Sequence, residues 1–259
     1  MSKPNIPVVV LGGALLMAGA HPAIAEGCLF EPQGGGRVAE IIDGRSFRLT
    51  DGREIRLAGI ESAADETTRA NRAAALSALI AGRDVTLLGP DDTPDRYGRQ
   101  AAIVILGSTE TPVQALLLRQ GAALVSAEIV DKDCAADLGQ AEAEARHAKR
   151  GVWDDPAVIK NAESSDDILS GIGRFAVVEG MVLSVRQAGA TTYLNFGRNW
   201  TRGFAATISR RTIPALESAG IAVKSLENRR IRVRGFVEAR PGPRIEVLRA
   251  GQIEILGDN

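Results

Sequence analysis

The sequence predicts an α+β fold made of two small β-barrels, the first carrying three helices and the second almost entirely strand. Three observations predict it. Short runs of alternating apolar residues recur along the chain and are separated by turn pairs such as Asp43-Gly44 and Asp51-Gly52. Three Ala- or Leu-rich helical stretches interrupt these runs in the first part, against one in the second. The charge changes sign along the chain. Residues 26–173 carry 16 Lys and Arg against 25 Asp and Glu, whereas 174–259 carry 14 against 7. A length of 259 residues suits one large domain or two small ones. With 45% hydrophobic and 24% charged residues, neither a disordered chain nor a membrane bundle is expected.

The first 25 residues read as a signal peptide. Lys3 precedes the apolar run VVVLGGALLMAGA, and Ala23-Ile24-Ala25 has the small-x-small form of a cleavage site. The run falls short of the ~20 residues that a spanning helix needs, so no membrane span is expected. The mature chain is then periplasmic or secreted. A lipid anchor on Cys28 is the weaker alternative, because Glu26 puts a charge where small apolar residues belong. Export gives the two cysteines their meaning: Cys28 and Cys134 form a natural disulfide pair in an oxidising compartment. The alternative is two buried thiols.

The folded part is expected to begin after Gly34-Gly35-Gly36, read as a hinge. RVAEII, SFRL and REIRLAGI are strands, and residues 65–81 form a helix that Gly82 stops. RDVTLL and QAAIVIL are strands around the loop GPDDTPDRYGR. TPVQALLLRQG is a helix opened by Pro112 and closed by Gly121. ALVSAEIV is a short extended run, and AADLGQAEAEARHAKRGVW is the third helix. Residues 156–173 lose periodicity and read as a linker; Gly171-Ile172-Gly173 lacks the strand and spacing of a dinucleotide site. Over 174–257, GRFAVVEGMVLSVRQ, TTYLNF, GFAATI, RIRVRGFVEA and PRIEVLRAGQIEIL alternate, with the helix RRTIPALESAG between the third and fourth. Five strands with a helix at that place are the layout of an OB-fold barrel.

In order, IIDGRSFRL, REIRLAGIES, DRYGR, ALLLRQGAALV and AEAEARHAKRGVW resemble the staphylococcal nuclease (thermonuclease) family over residues 37–155. The resemblance implies an OB-like barrel with three helices and calcium-dependent hydrolysis of DNA and RNA. That chemistry needs carboxylates around a hard cation, a carboxylate base for water, and arginines against phosphoryl charge. It carries over as Arg56 and Arg99 for phosphate binding, Tyr97 for ligand binding, and Asp43 and Glu61 for the metal. The family's D-G-D-T turn stands here as Asp43-Gly44-Arg45-Ser46, so Arg45 replaces a calcium ligand. The family's V-D-T-P-E stands as Ile60-Glu61-Ser62-Ala63-Ala64, so Ala64 replaces the general base. A slip of the loop by one or two residues could bring Asp65 or Glu66 into that role. SAEIV lies where the family's base-packing tyrosines belong. Arg45 is expected to pair with Glu61 or Asp43 and to oppose calcium. Arg45, Arg56 and Arg99 would then line an anion pocket, or else form a salt-bridge network kept for folding. Calcium is expected only with a working nuclease site, and otherwise no cofactor.

Other catalytic classes lack parts. His147 is the one histidine after the signal segment, which leaves no Ser-His-Asp triad, Cys-His pair or zinc centre. In the second unit, TTYLNFGRNWTRGF interleaves aromatic residues with arginines, a composition suited to stacking single-stranded bases. Tyr193, Trp200 and Arg202 are the candidate contacts, with Arg229, Arg230, Arg232 and Arg234 as further positive charge. The plain alternative is barrel core and solubilising arginines. Alternation puts Tyr193 and Leu194 on opposite faces, so Tyr193 and Phe196 cannot both be free. The segment is loosely similar to a YLNFG-type domain that follows thermonuclease-like domains in other exported bacterial proteins. Three functions compete: a nuclease-family protein with a degenerate site that binds nucleic acid or another anionic ligand, a weak calcium-dependent phosphodiesterase, and a protein-binding module of the cell envelope. The protein partner and the oligomeric state stay open.

Overall fold

A computed structural model describes residues 27–28, 30–62, 67–107, 111–199 and 201–257. The expected signal peptide, Ala64, Asp65, Glu66 and Trp200 lie outside the described residues. The chain opens with β1 (Pro32–Ile41), β2 (Ser46–Leu49), β3 (Glu54–Leu57), β4 (Ile60–Glu61), α1 (Thr67–Ile80), β5 (Asp84–Leu88) and β6 (Arg99–Leu106). α2 (Val113–Arg119), β7 (Leu124–Val125) and α3 (Lys132–His147) follow. The strands close a barrel in the order β1-β2-β3-β6-β5, and β3 runs parallel to β6. Inward positions follow the alternation of the sequence. Phe47, Leu49, Ile55, Leu57, Leu87 and Ile103 are buried, with Leu76 and Ile80 of α1 against them. Gln114 ties α2 to the barrel: its amide donates to the Ala102 and Ala58 carbonyls, and its carbonyl accepts from Val104 N–H.

One expectation is corrected here. Gly34-Gly35-Gly36 is no hinge but lies inside β1, with Gly35 opposite Thr86 and Gly36 opposite Val85. A Cβ on Gly35 would sit 2.3 Å from the Val85 carbonyl oxygen, so the barrel seam closes only without a side chain there. The two ends of the domain meet with the same economy. Gly121 and Gly151 both have positive φ, a Cβ on Gly121 would sit 2.0 Å from the Arg150 oxygen, and Val152 N–H donates to the Gly121 carbonyl at 2.9 Å. The RQG and RGVW pieces of the sequence are the two sides of one crossing. A disulfide joins Cys28 to Cys134 at the start of α3.

The stretch expected as a linker is also corrected. It contains β8 (Ile159–Asn161), which runs parallel to the next strand, and α4 (Ser165–Leu169), which buries Ile168. These elements are too short to leave a periodic signature. β9 (Phe175–Met181), β10 (Ser184–Ala188), β11 (Thr191–Asn195), β12 (Ala205–Ser209), α5 (Ile213–Ser218), β13 (Arg230–Ala239), β14 (Pro243–Val247) and β15 (Ile253–Ile255) complete the chain. Two of the five expected strands are each broken in two, the first at Val182-Leu183 and the last by a turn over 250–252. The order β10-β11-β12-β14-β13-β9 repeats that of the first barrel, and β12 runs parallel to β14 as β3 does to β6. The second core gathers Leu194, Phe196, Phe204, Ile208, Leu216, Val233 and Ile245. A third cluster joins the units: Leu124, Ala145, Val152 and Trp153 pack with Phe175 and Val177. Among the described residues no helix is long and apolar enough to cross a membrane.

Candidate functional site

Three loops and strand ends converge at one rim of the first barrel. The turn before β2 carries Asp43 and Arg45, β3 carries Arg56, and β4 ends on Glu61. Pairing of β4 with β7 sets Glu61 opposite Leu124 and brings the following chain, with Glu128, to the same rim. Ala127 adopts positive φ (59°) just before it, a conformation that costs an alanine on the order of 1 kcal/mol. Glu61 is 4% exposed and sits between two cations. Its Oε1 pairs with Nη1 of Arg45 and lies 3.0 Å from Nη2 of Arg56. Arg56 reaches Glu128 as well, at 3.2 Å. Arg45 also donates to the Ile60 carbonyl at 3.5 Å. Burial pulls the Arg56 guanidinium toward its neutral form, but Glu128 and Glu61 outweigh burial and raise its pKa. Two guanidiniums and two carboxylates thus neutralise one another at the place where the resemblance puts a metal and a phosphate.

Asp43 does not join the pair. Its Oδ1 accepts from the backbone N–H of Arg45 at 2.8 Å, which fixes the turn. Arg99 is not paired with Glu61 among the described residues. Asp95 holds it instead, accepting from Nε at 3.1 Å and Nη2 at 2.8 Å, and also from the backbone N–H of Tyr97 and of Arg99 itself. Those hydrogen bonds, first of all the one from the Arg99 side chain, draw the Asp95 carboxyl down to about 2. Tyr97 is 65% exposed, with the guanidiniums of Arg96 and Arg99 at 4.7 and 5.0 Å from its ring centroid. Residues 63–66 are not described, so Asp65 and Glu66 cannot be placed relative to Glu61.

In the second unit the structure separates residues that the sequence grouped. Phe196 and Phe204 are core, 5.0 Å apart between ring centroids, while Tyr193 is half-buried on the outer face. Arg202 lines a different cleft, together with Asp166, Asp167 and Pro241. Arg232 and Arg234 are buried and Arg230 is paired, which removes all three from the expected positive surface. Arg230 and Arg232 hold Glu179 at 2.8 and 2.7 Å, and Arg232 holds Glu254 at 2.8 Å. Burial pushes the Glu179 carboxyl up, but these two arginines outweigh it and keep it below the ordinary range. Arg234 grips the buried Glu142 of α3 at 2.8 Å and donates to the Val125 carbonyl at 3.1 Å.

Sequence reasoning missed Glu128 and the cross-unit role of Glu142. For Glu128 the one available signal was that it is the lone acid in SAEIV.

No curated protein matches the chain. The family model for staphylococcal nuclease homologues matches residues 54–155, which hold Arg56, Glu61, Tyr97, Arg99 and the crossing of Gly121 with Gly151. Over this first domain the chain is similar to the staphylococcal nuclease homologues.

Proposed function

We propose that this is an exported member of the family in which ion pairs replace the metal and general-base machinery, and that the molecule binds nucleic acid or another anionic ligand without cleaving it. The observation that carries the first half is Glu61 held between Arg45 and Arg56. Calcium takes six to eight oxygen ligands. Here one candidate carboxylate is engaged by two guanidiniums, the other caps a turn, and a cation stands where the third would be. Among the described residues no three His, Cys, Asp or Glu side chains are grouped to hold a metal. On this reading the described residues at the rim do not fit calcium. Ala64 in the base position removes a further factor of about 10²–10⁴ in rate. Export is supported by the Cys28–Cys134 disulfide, which belongs to an oxidising compartment. Binding of polyanions is supported by the basic balance of residues 174–259.

The test is incubation of the mature chain with heat-denatured DNA, in calcium or in EDTA, followed by measurement of acid-soluble nucleotides. The expected result is equal, background release in both. Calcium-dependent release that disappears in Arg99→Ala would overturn the reading and assign the base to Asp65 or Glu66.

A further inference from the structure

The arginines of this protein fall into two groups. Those of β13 and of the first barrel's rim are taken up by carboxylates, as described for Arg45, Arg56, Arg230, Arg232 and Arg234. Arg186, Arg198 and Arg244, among others, form no ion pair among the described residues. These three line one cavity with Tyr193.

Strand register brings them together. Arg186 of β10 lies opposite Tyr193 of β11, Tyr193 lies opposite Thr207 of β12, and Arg244 of β14 lies opposite Ala205. Thr192 and Leu194 turn into the core, which leaves Tyr193 on the outer face between the two arginines. The Arg244 guanidinium carbon is 5.0 Å from the Tyr193 ring centroid. It takes this position although Glu238 is its cross-strand neighbour, and Glu238 pairs with Arg240 instead, at 3.5 Å. A cavity of about 580 Å³ opens over the ring, lined by Ser184, Arg186, Tyr193, Asn195, Arg198 and Arg244 among others, with no carboxylate in its wall. Three like charges in one cavity wall repel one another, and only Arg244 is offset by the face of Tyr193. They produce a positive concavity beside a planar stacking surface.

We propose that this face binds single-stranded nucleic acid, with one base stacked on Tyr193 and the flanking phosphates held by Arg186, Arg198 and Arg244. The inference rests on the reading of the molecule as a polyanion binder and names the site and the ligand. A single strand suits the site because a lone ring can stack only on a base already out of a duplex. The volume lies within the ~300–1,000 Å³ range of sites that enclose one small ligand, which is room for a nucleotide. The guanidiniums offer forked donors to phosphate oxygens. The Asn195 amide in the wall is engaged with the Ser184 hydroxyl at 3.2 Å, so little sequence preference is expected.

The experiment is fluorescence anisotropy of the mature chain with a labelled oligothymidylate and with a duplex of the same length, over a range of salt. The single strand is expected to bind the more tightly. Tyr193→Ala should weaken binding about ten- to a hundredfold, the effect of losing one stacked base, and Tyr193→Phe should retain it. Arg186→Gln with Arg244→Gln should flatten the slope of log affinity against log salt by about 1.4, two phosphate contacts at ~0.7 each on a single strand. Unaltered thermal unfolding of the Gln variant serves as the folding control. Wild-type binding that survives all these substitutions would place the ligand elsewhere and overturn this inference, leaving the polyanion reading intact. Failure of the wild type to bind the single strand, the duplex or heparin would sink that reading together with it.

Discussion

At the scale of single residues, the pairing of Arg45 with Glu61 carries the proposal for the first domain. A guanidinium beside Glu61 does what a divalent ion would do for that carboxylate, neutralising it in a nearly dry position, but it cannot exchange ligands or activate water. The substitution Arg45→Asp reverses this and sets three carboxylates, with Asp43 and Glu61, around the same point. The variant should be less stable than the wild type without metal, and calcium should stabilise it while leaving the wild type unmoved. At a hundred times its dissociation constant calcium would add about 2.7 kcal/mol, several degrees in Tm for a domain of this size. A calorimetric scan with calcium and with EDTA checks this; equal midpoints for the variant would mean that Arg45 is not what excludes the ion. Arg45 and Glu61 were legible in the sequence because the resemblance to the family marks the turn before β2 and the end of β4. Glu128 was not, since it reaches Arg56 only through the pairing of β4 with β7, 72 residues along the chain.

Among the elements, local signals served best where an element pairs with its neighbour in sequence. β2, β3, β5, β6 and the three helices of the first domain were visible as alternation, turn pairs and glycine stops. Elements were misread where a distant partner defines them. The Gly34–Gly36 run carries no alternation and becomes strand because β5 lies against it, and β8 becomes strand because β9 does. The loop before β6 is a contrasting case in which local chemistry suffices. Asp95 accepts four hydrogen bonds from Tyr97 and Arg99, and its carboxyl is drawn from 3.8 to about 2. A depressed carboxyl stabilises the folded form above its unfolded value. That contribution is present above pH 3.8 and is lost as the pH falls toward about 2. The Tyr97 and Arg99 amide resonances should therefore titrate together in that window, and Arg99→Ala should move the midpoint back up. A midpoint near 3.8 in the wild type would mean that the Asp95–Arg99 pair does not hold in solution.

Across the whole molecule, the first barrel and the second sheet share one strand order, yet they are joined by more than a tether. Packing of Val152 and Trp153 on Phe175 and Val177 is apolar, while beside it Arg234 of the second unit reaches Glu142 of the first. Glu142 also accepts from Val125 N–H at 2.8 Å, so β7, α3 and β13 meet at one carboxylate. Arg146 and Arg232 extend the bridge through Glu254. A buried pair of this kind adds little net stability when formed, because both charges give up water, but removing one partner leaves an uncompensated charge and costs about 3–5 kcal/mol. The pair therefore acts as a register: the units can dock in one arrangement that satisfies both charges. Arg234→Met should lower stability by less than that amount, because Arg146 still faces Glu142 at 3.7 Å, and split a single unfolding transition into two, as the second unit loses its hold on α3. Glu142→Gln combined with Arg234→Met should recover much of the loss, since neither charge then remains unpaired. Urea unfolding followed by fluorescence in a Trp200→Phe background, which leaves Trp153 at the junction as the single tryptophan, reports the outcome. If the double substitution is as destabilised as the sum of the single ones, the pair carries no coupling, and the apolar junction alone holds the two units together.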